Sequence, residues 1–226
     1  MRAGRHSASQ QLGRYAHGDA ARPYLIDREG DWRDLSYVLL DITPEFLQPV
    51  EIDILLAIEP ETLPLVEAGR QALQPVAGLG RIHADFDSAP LTLTPPGSPI
   101  GDAAGFRVGL AAIVGGPGPW SGALTTATVT PGDGAVALGR RVWVADRALA
   151  GHRSTCDIRI DGGPPVACRI GKDALRAALA QARTAQIGDV VLATTPFPVP
   201  AGAQEVSVAF RHMDPHVRRI APASGG

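Results

Sequence analysis

His83, Asp85 and Asp87 put one imidazole and two carboxylates into a short stretch of chain. In an extended segment, residues two apart point to the same side, so the three would share a face. A histidine whose tautomer is set by a neighbouring acid can work as a general base. The same trio offers a divalent ion one nitrogen and two oxygens, which is a weak metal signal. The competing account is an exposed polar loop ahead of a strand. Arg107 is the second candidate, a single charge in the apolar run 106–114. Turned into a pocket, its guanidinium would clamp a carboxylate or polarise an enolate oxygen. Turned to solvent, it is only a strand-surface charge. Alternation groups Phe106, Val108 and Leu110 on one side and leaves Arg107 with Gly109 on the other.

Arg140, Arg141, Asp146, Arg147, His152 and Arg153 surround Trp143 in the sequence. A carboxylate-bearing substrate would suit that cluster, although Arg/Asp pairs beside a strand are commonly solvated ion pairs. His152, Ser154 and Asp157 contain the residue types of a triad, but their local spacing carries no triad geometry. The glycine-rich run 115–119 includes Pro117 and Pro119, which lack backbone donors, and no Lys-Ser/Thr follows it. It is a turn rather than a phosphate loop.

Composition bounds what these groups can serve. The chain has 226 residues, 45% apolar and 19% charged, a balance that excludes a disordered polymer. Its 21 Lys and Arg against 23 Asp and Glu leave a formal charge of −2, so nothing recruits nucleic acid. No apolar run approaches the ~18–20 residues of a membrane helix, and no signal-like segment opens the chain. The two cysteines, Cys156 and Cys168, fall in neighbouring strand-like segments and fit a reduced compartment. The expectation is a soluble cytoplasmic protein with a small-molecule substrate, no nucleic acid and no membrane.

The elements that must position these residues follow from 26 Gly and 20 Pro, which punctuate the chain throughout. Short strands joined by turns are expected, with few helices. Arg14–Tyr15 and Pro23–Ile26 suggest a hairpin, with a turn at 27–30 and a return at 32–35. Helix starts are marked by Thr43–Pro44–Glu45 and Pro49–Val50–Glu51. Val50, Ile54, Leu55 and Ile58 have the spacing of one buried helix face. Strands are predicted at 91–94, 106–114, 125–129, 141–144, 157–160, 166–170, 190–192 and 205–210, and one further helix at 172–184.

In this order the chain resembles the fumarylacetoacetate hydrolase family. The stretch carrying the likeness begins with Arg22–Pro23, Asp27 and Arg33–Asp34–Leu35–Ser36. It continues through Asp41–Ile42, the run 61–66 and the run 75–82. Farther on, 91–115 is similar to the segment that bears two metal-binding glutamates in active members. The run 188–196 is similar to the family's Gly-Asp strand ending in Thr-Gly-Thr-Pro. The resemblance implies an α+β, mostly β fold: a mixed β-sheet/β-roll catalytic domain at 83–226, shortened, behind a small N-terminal α+β cap at 1–82. It also implies a homodimer, or a heteromer with a homologue of the family. His83 and Asp85 fall where relatives keep a catalytic histidine and acid.

The departures bear on the chemistry. Where the family has Glu-Val-Glu-Leu, this chain reads Arg107–Val108–Gly109–Leu110, and an oxygen-ligand cation site needs converging carboxylates. The Thr-Gly-Thr-Pro run has become Ala193–Thr194–Thr195–Pro196. The expectation is therefore an enzyme with no metal and no cofactor, acting on a keto acid or β-dicarbonyl as an isomerase, cyclase, dehydratase or carbon–carbon lyase. His83, Asp85 and Arg107 would be catalytic, and Arg141, Arg147, Thr194 and Thr195 would bind substrate. The alternative is a non-catalytic paralogue serving as a structural or regulatory subunit.

Overall fold

The computed structural model describes residues 9–86, 88–100, 105–116, 122–145, 155–171, 183–210 and 215–220, with residues 174, 177, 178, 180, 181 and 213 between them. Strands β1 (Ser9–His17) and β2 (Ala20–Ile26) pair antiparallel around Gly18 and Asp19. Gly18 sits at φ 60°, the left-handed conformation a two-residue hairpin loop demands. Strand β3 (Trp32–Asp34) returns after a turn organised by Asp27. One Asp27 oxygen accepts the Glu29 and Asp31 N–H groups, and the other accepts Arg33 Nε at 2.7 Å. The Tyr24 and Trp32 rings stack at 4.1 Å across β2 and β3. Tyr24 also lies so close over Gly13 that a Cβ there would meet its ring at 2.4 Å.

Both proline-marked helix starts form, as a 3-10 turn at Pro44–Leu47 and a helix α1 at Pro49–Ala57. The expected buried face is corrected. Ile52 and Leu55 are buried, whereas Val50 and Ile54 are 67% and 57% exposed. Apolar residues are spread around this short helix beside Glu51 and Asp53 and form no single stripe, so the neighbouring core of Leu39, Ile42 and Leu47 sets its rotation.

The remaining strands are β4 (Ile82–His83), β5 (Thr92–Leu93), β6 (Arg107–Val114), β7 (Gly122–Thr130), β8 (Ala135–Leu138) and β9 (Arg141–Ala145). They are followed by β10 (Thr155–Ile160), β11 (Val166–Arg169), β12 (Val190–Pro196), β13 (Glu205–Phe210) and β14 (His216–Arg219). One large mixed sheet runs β3-β2-β1-β9-β7-β6-β12-β4, with β8 on β7 and β5 on β8. A second sheet runs β11-β10-β13-β14. Strands from both sides of residue 82 share the large sheet, because β1 pairs with β9. The fold is α+β and mostly β, as expected. Helical residues occur at 174, 177, 178, 180 and 181; the rest of the 172–184 prediction is described only from 183 on, where the chain turns. No helix among the described residues is long and apolar enough to cross a membrane.

Strands β6 and β7 are buried on both faces, so they read as near-continuous apolar or threonine runs rather than alternating ones. One face (Ala111, Ile113, Ala127, Val129) packs with Leu12, Leu25, Leu47 and Leu55 of the N-terminal part. The other (Val108, Leu110, Leu124) meets Ile158, Val206, Val208 and Phe210 of the second sheet.

A polar row interrupts that second interface. His216 and Arg218 point inward from β14, and His216 Nε2 lies 3.3 Å from Thr128 Oγ1. Burial, reinforced by the nearby Arg218 and Arg140 charges, pushes the His216 pKa down to about 3. The unfolded chain therefore takes up this proton near pH 6.5 while the folded chain refuses it until about pH 3. The stabilisation is whole above pH 6.5 and is lost progressively as the pH falls toward 3, by about 1.4 kcal/mol per pH unit. Urea unfolding at pH 7, 5 and 4 should show this slope, and His216→Asn should flatten it; parallel profiles for the two proteins would refute the assignment.

Candidate active site

Strand β12 lies between β6 and β4 and brings the two candidate regions to one part of the sheet. Pairing with β6 sets Thr194 opposite Gly109 and Pro196 opposite Arg107. Arg107 Nε donates to Thr194 Oγ1 at 3.0 Å, and its Nη2 donates to the Thr194 carbonyl at 3.2 Å. The guanidinium carbon lies 4.2 Å from the centre of the Phe86 ring, a cation–π contact. Burial lowers the Arg107 pKa from its ordinary value, and the negative charge of Asp85 works in the opposite direction. Arginine stays charged through such a change. No carboxylate pairs with it at ion-pair distance among the described residues.

His83 is built differently. Parallel pairing of β4 with β12 sets His83 beside Val191, and its Nε2 lies 2.8 Å from Asp189 Oδ2. The buried Asp189 carboxylate also accepts the N–H groups of Arg81 and Gln186, each at 3.0 Å. Burial works to raise the Asp189 pKa, but the His83 bond and the two N–H groups outweigh it and hold the carboxyl below the usual range. The acid that orients His83 is thus Asp189, 106 residues away, and not Asp85.

The sheet sets His83 and Arg107 apart. Ile82, Ala84 and Phe86 pack into the core on the N-terminal side of the sheet, which turns His83 to the opposite side from Arg107. Val191 is level with Ala112 and Pro196 with Arg107, so the two candidates also stand about 16 Å apart along the strands. Asp85 lies in a bend beyond the end of β4, where alternation no longer applies, and its charge acts on Arg107. Asp87 lies outside the described residues. So do Arg147, Asp146, His152, Arg153 and Ser154.

Thr194 is buried and committed to Arg107, while Thr195 is half-buried on the face of Val108. Arg141 stands apart from both, on β9 with β7 intervening, its guanidinium 6.0 Å from the Trp32 ring. A groove of about 740 Å³ opens near Trp143, Leu56 and Glu59, at the β1–β2 end of the sheet and away from Arg107. Asp27, Glu29 and Asp31 bring their oxygens together, but Asp27 already serves the turn it organises.

The fold matches solved structures over nearly the whole chain. Fumarylacetoacetate hydrolase from Exiguobacterium antarcticum superposes with a TM-score of 0.64 at 13% identity, covering 93% of this chain and 99% of that one. The chain has the fumarylacetoacetate hydrolase fold. Maleylpyruvate hydrolase from Sphingobium sp. SYK-6, in complex with manganese(II) and pyruvate, matches with a TM-score of 0.60 at 13% identity over 95% and 100% of the two chains. A 2-keto-3-deoxy-D-arabinonate dehydratase complexed with magnesium and 2,5-dioxopentanoate gives 0.56 at 10% identity over 93% and 98%. No family model and no curated protein matches the sequence.

The residues at the two positions that resemble the family's metal strand do not fit a divalent cation. Arg107 is itself cationic. A Cβ on Gly109 would sit 2.1 Å from the Ala193 carbonyl oxygen and 2.7 Å from Thr194 Cα, so this backbone admits no carboxylate side chain there.

Sequence reasoning missed Asp189 because Gly188–Asp189 reads as a turn. The companion signal is Gly80, where a Cβ would meet Asp189 Oδ1 at 2.7 Å. Replacing Asp189 with Ala removes the acceptor of two backbone N–H groups and of the His83 ring N–H at once. We expect a loss of about 3 kcal/mol, or roughly 6–12 °C in Tm. Thermal unfolding followed by circular dichroism checks it; a change under 2 °C would show the carboxylate to be dispensable.

Proposed function

We propose that the chain is a small-molecule enzyme of the fumarylacetoacetate hydrolase superfamily that enolises a keto acid or β-dicarbonyl compound without a divalent cation. The observation that carries this reading is the Arg107 guanidinium. It is partly desolvated and held by Thr194 and Phe86, and Nη1 makes no hydrogen bond among the described residues. A fixed cation in that position can bind a substrate carboxylate or the oxygen on which enolate charge develops. Asp85, exposed and close enough to influence Arg107, takes the proton from the carbon next to the carbonyl. The electron pair of that C–H bond becomes a carbon–carbon double bond and the carbonyl π pair moves to the oxygen, facing Arg107. In a conjugated substrate, return of the proton from Asp85 to the far carbon isomerises it; in a β-hydroxy substrate, re-formation of the carbonyl expels the hydroxyl, which leaves as water with the Asp85 proton. His83 stays outside this step, tied to Asp189. The pyruvate and 2,5-dioxopentanoate held by the two structural neighbours favour the same substrate class.

Proton NMR of pyruvate, oxaloacetate and acetylpyruvate in deuterated buffer with a chelator tests the proposal. We expect loss of the α-proton signal of at least one compound faster than in buffer alone. Exchange at the buffer rate for all of them, or exchange that appears only on adding a divalent ion, would overturn it.

A specific observation favours a second reading, a non-catalytic subunit. The close backbone approach at Gly109 excludes a carboxylate side chain there, and Arg107 is taken up by Thr194 and Phe86. Tyr37, Leu40, Val50 and Ile54 expose apolar area of the kind that marks association, which suits a homodimer or a heteromer with a homologue. Light scattering of the purified chain, alone and mixed with an active homologue, separates these assemblies from a monomer.

A further inference from the structure

The β10–β11 hairpin sets Cys156 directly opposite Cys168. Opposed residues of an antiparallel pair have Cα atoms about 4.5–5.5 Å apart, inside the ~4.4–6.8 Å that a disulfide spans. Both thiols are free, and each acts on the other's titration. Their surroundings differ. Cys156 is 2% exposed and packed against the core of the second interface, whereas Cys168 is half-buried on β11, the edge strand of its sheet.

We infer that Cys156 and Cys168 form a dithiol that a low-molecular-weight disulfide converts into a cross-strand bond. Cys168 reacts first because it is the thiol a reagent reaches. Burial pushes the Cys156 thiol up to about 12, with the Cys168 neighbour adding to the rise. Burial raises Cys168 too, with the Cys156 side chain and the Arg169 N–H opposing the change, and its greater exposure makes it the sulfur that meets the reagent. Its sulfur attacks the small disulfide, making a Cys168–reagent bond and releasing one reagent thiolate. Cys156 then gives up its proton and attacks the Cys168 sulfur, which releases the second thiolate. Two protein thiols are oxidised, one small disulfide is reduced, and the two protein protons pass to the two released thiolates. The product staples β11, which pairs with β10 at the edge of its sheet among the described strands.

The full chain, reduced and then incubated with oxidised glutathione, is quenched in acid and examined by intact mass and peptide mapping. The expected product is two hydrogens lighter, contains one peptide joining Cys156 to Cys168, and reverts with dithiothreitol. Its Tm should rise by about 5–10 °C. Cys156→Ala should stop at one glutathione on Cys168, and Cys168→Ser, at the half-buried position, should remain unmodified. Unreacted thiols in the wild type, a lasting glutathione adduct on its Cys168, or a bond between two chains would each overturn the inference.

Discussion

Arg107→Ala should slow keto-acid enolisation by about 10²–10³-fold while leaving the fold intact, because the lost group is a single preorganised donor to developing negative charge. The guanidinium is anchored through its Nε and Nη2 on Thr194 and by its face on Phe86, so it needs no reorganisation when the oxygen becomes charged. Its partial burial strengthens the interaction relative to water. Arg107→Lys separates charge from shape. An ammonium would keep part of the oxyanion effect, but it cannot reproduce both Thr194 bonds and a free edge together. Partial rescue by Lys would identify an enolate-stabilising charge, and no rescue a planar carboxylate clamp. Exchange kinetics on the responsive keto acid, with circular dichroism to confirm folding, provide the measurement. Wild-type exchange in the Ala variant would remove Arg107 from the site. Asp85→Asn should cost about 10²–10⁴-fold if that carboxylate moves the proton.

Gly109→Ala should be among the most destabilising single changes in the chain. The new Cβ would meet two backbone groups of β12, the Ala193 carbonyl and Thr194 Cα, which no side-chain rotation can move aside. The central strands β6 and β12 would have to separate, and overpacking of this kind typically costs about 1–3 kcal/mol and sometimes more. We expect a Tm lower by at least roughly 6 °C for a chain of this size. Gly171→Ala is the control, since nothing lies within 4 Å of a Cβ there, and it should change Tm little. Equal melting of the two variants would show that β6 and β12 can part freely. For the same reason Gly109→Glu, which restores the family's residue type, should not restore manganese binding by calorimetry.

Much of the architecture was legible because its signals are local. The Asp27 turn and the prolines at 44 and 49 act within a few residues of themselves, and each marks the boundary it predicts. The apolar runs of β6 and β12 reveal strands buried on both faces for the same reason. Strands β4, β8 and β14 were not legible. β4 is two residues long, and β14 hides two buried polar groups, His216 and Arg218, where a pattern reading expects solvent.

By itself the sequence determined which residues alternate together, so Arg107 was already assigned to the face of Gly109. Its colinear motifs also pointed to the fold. Only the tertiary structure decided what those side chains meet. The partner of His83 comes from 106 residues away, the partner of Arg107 from 87 residues away, and both are delivered by the pairing of β12 with its neighbours. Register across a sheet is a long-range choice, settled by burying two faces at once. A one-residue slip would exchange every inward side chain for an outward one. Local spacing therefore offered Asp85 to His83, while the sheet gave His83 to Asp189 and left Asp85 beside Arg107.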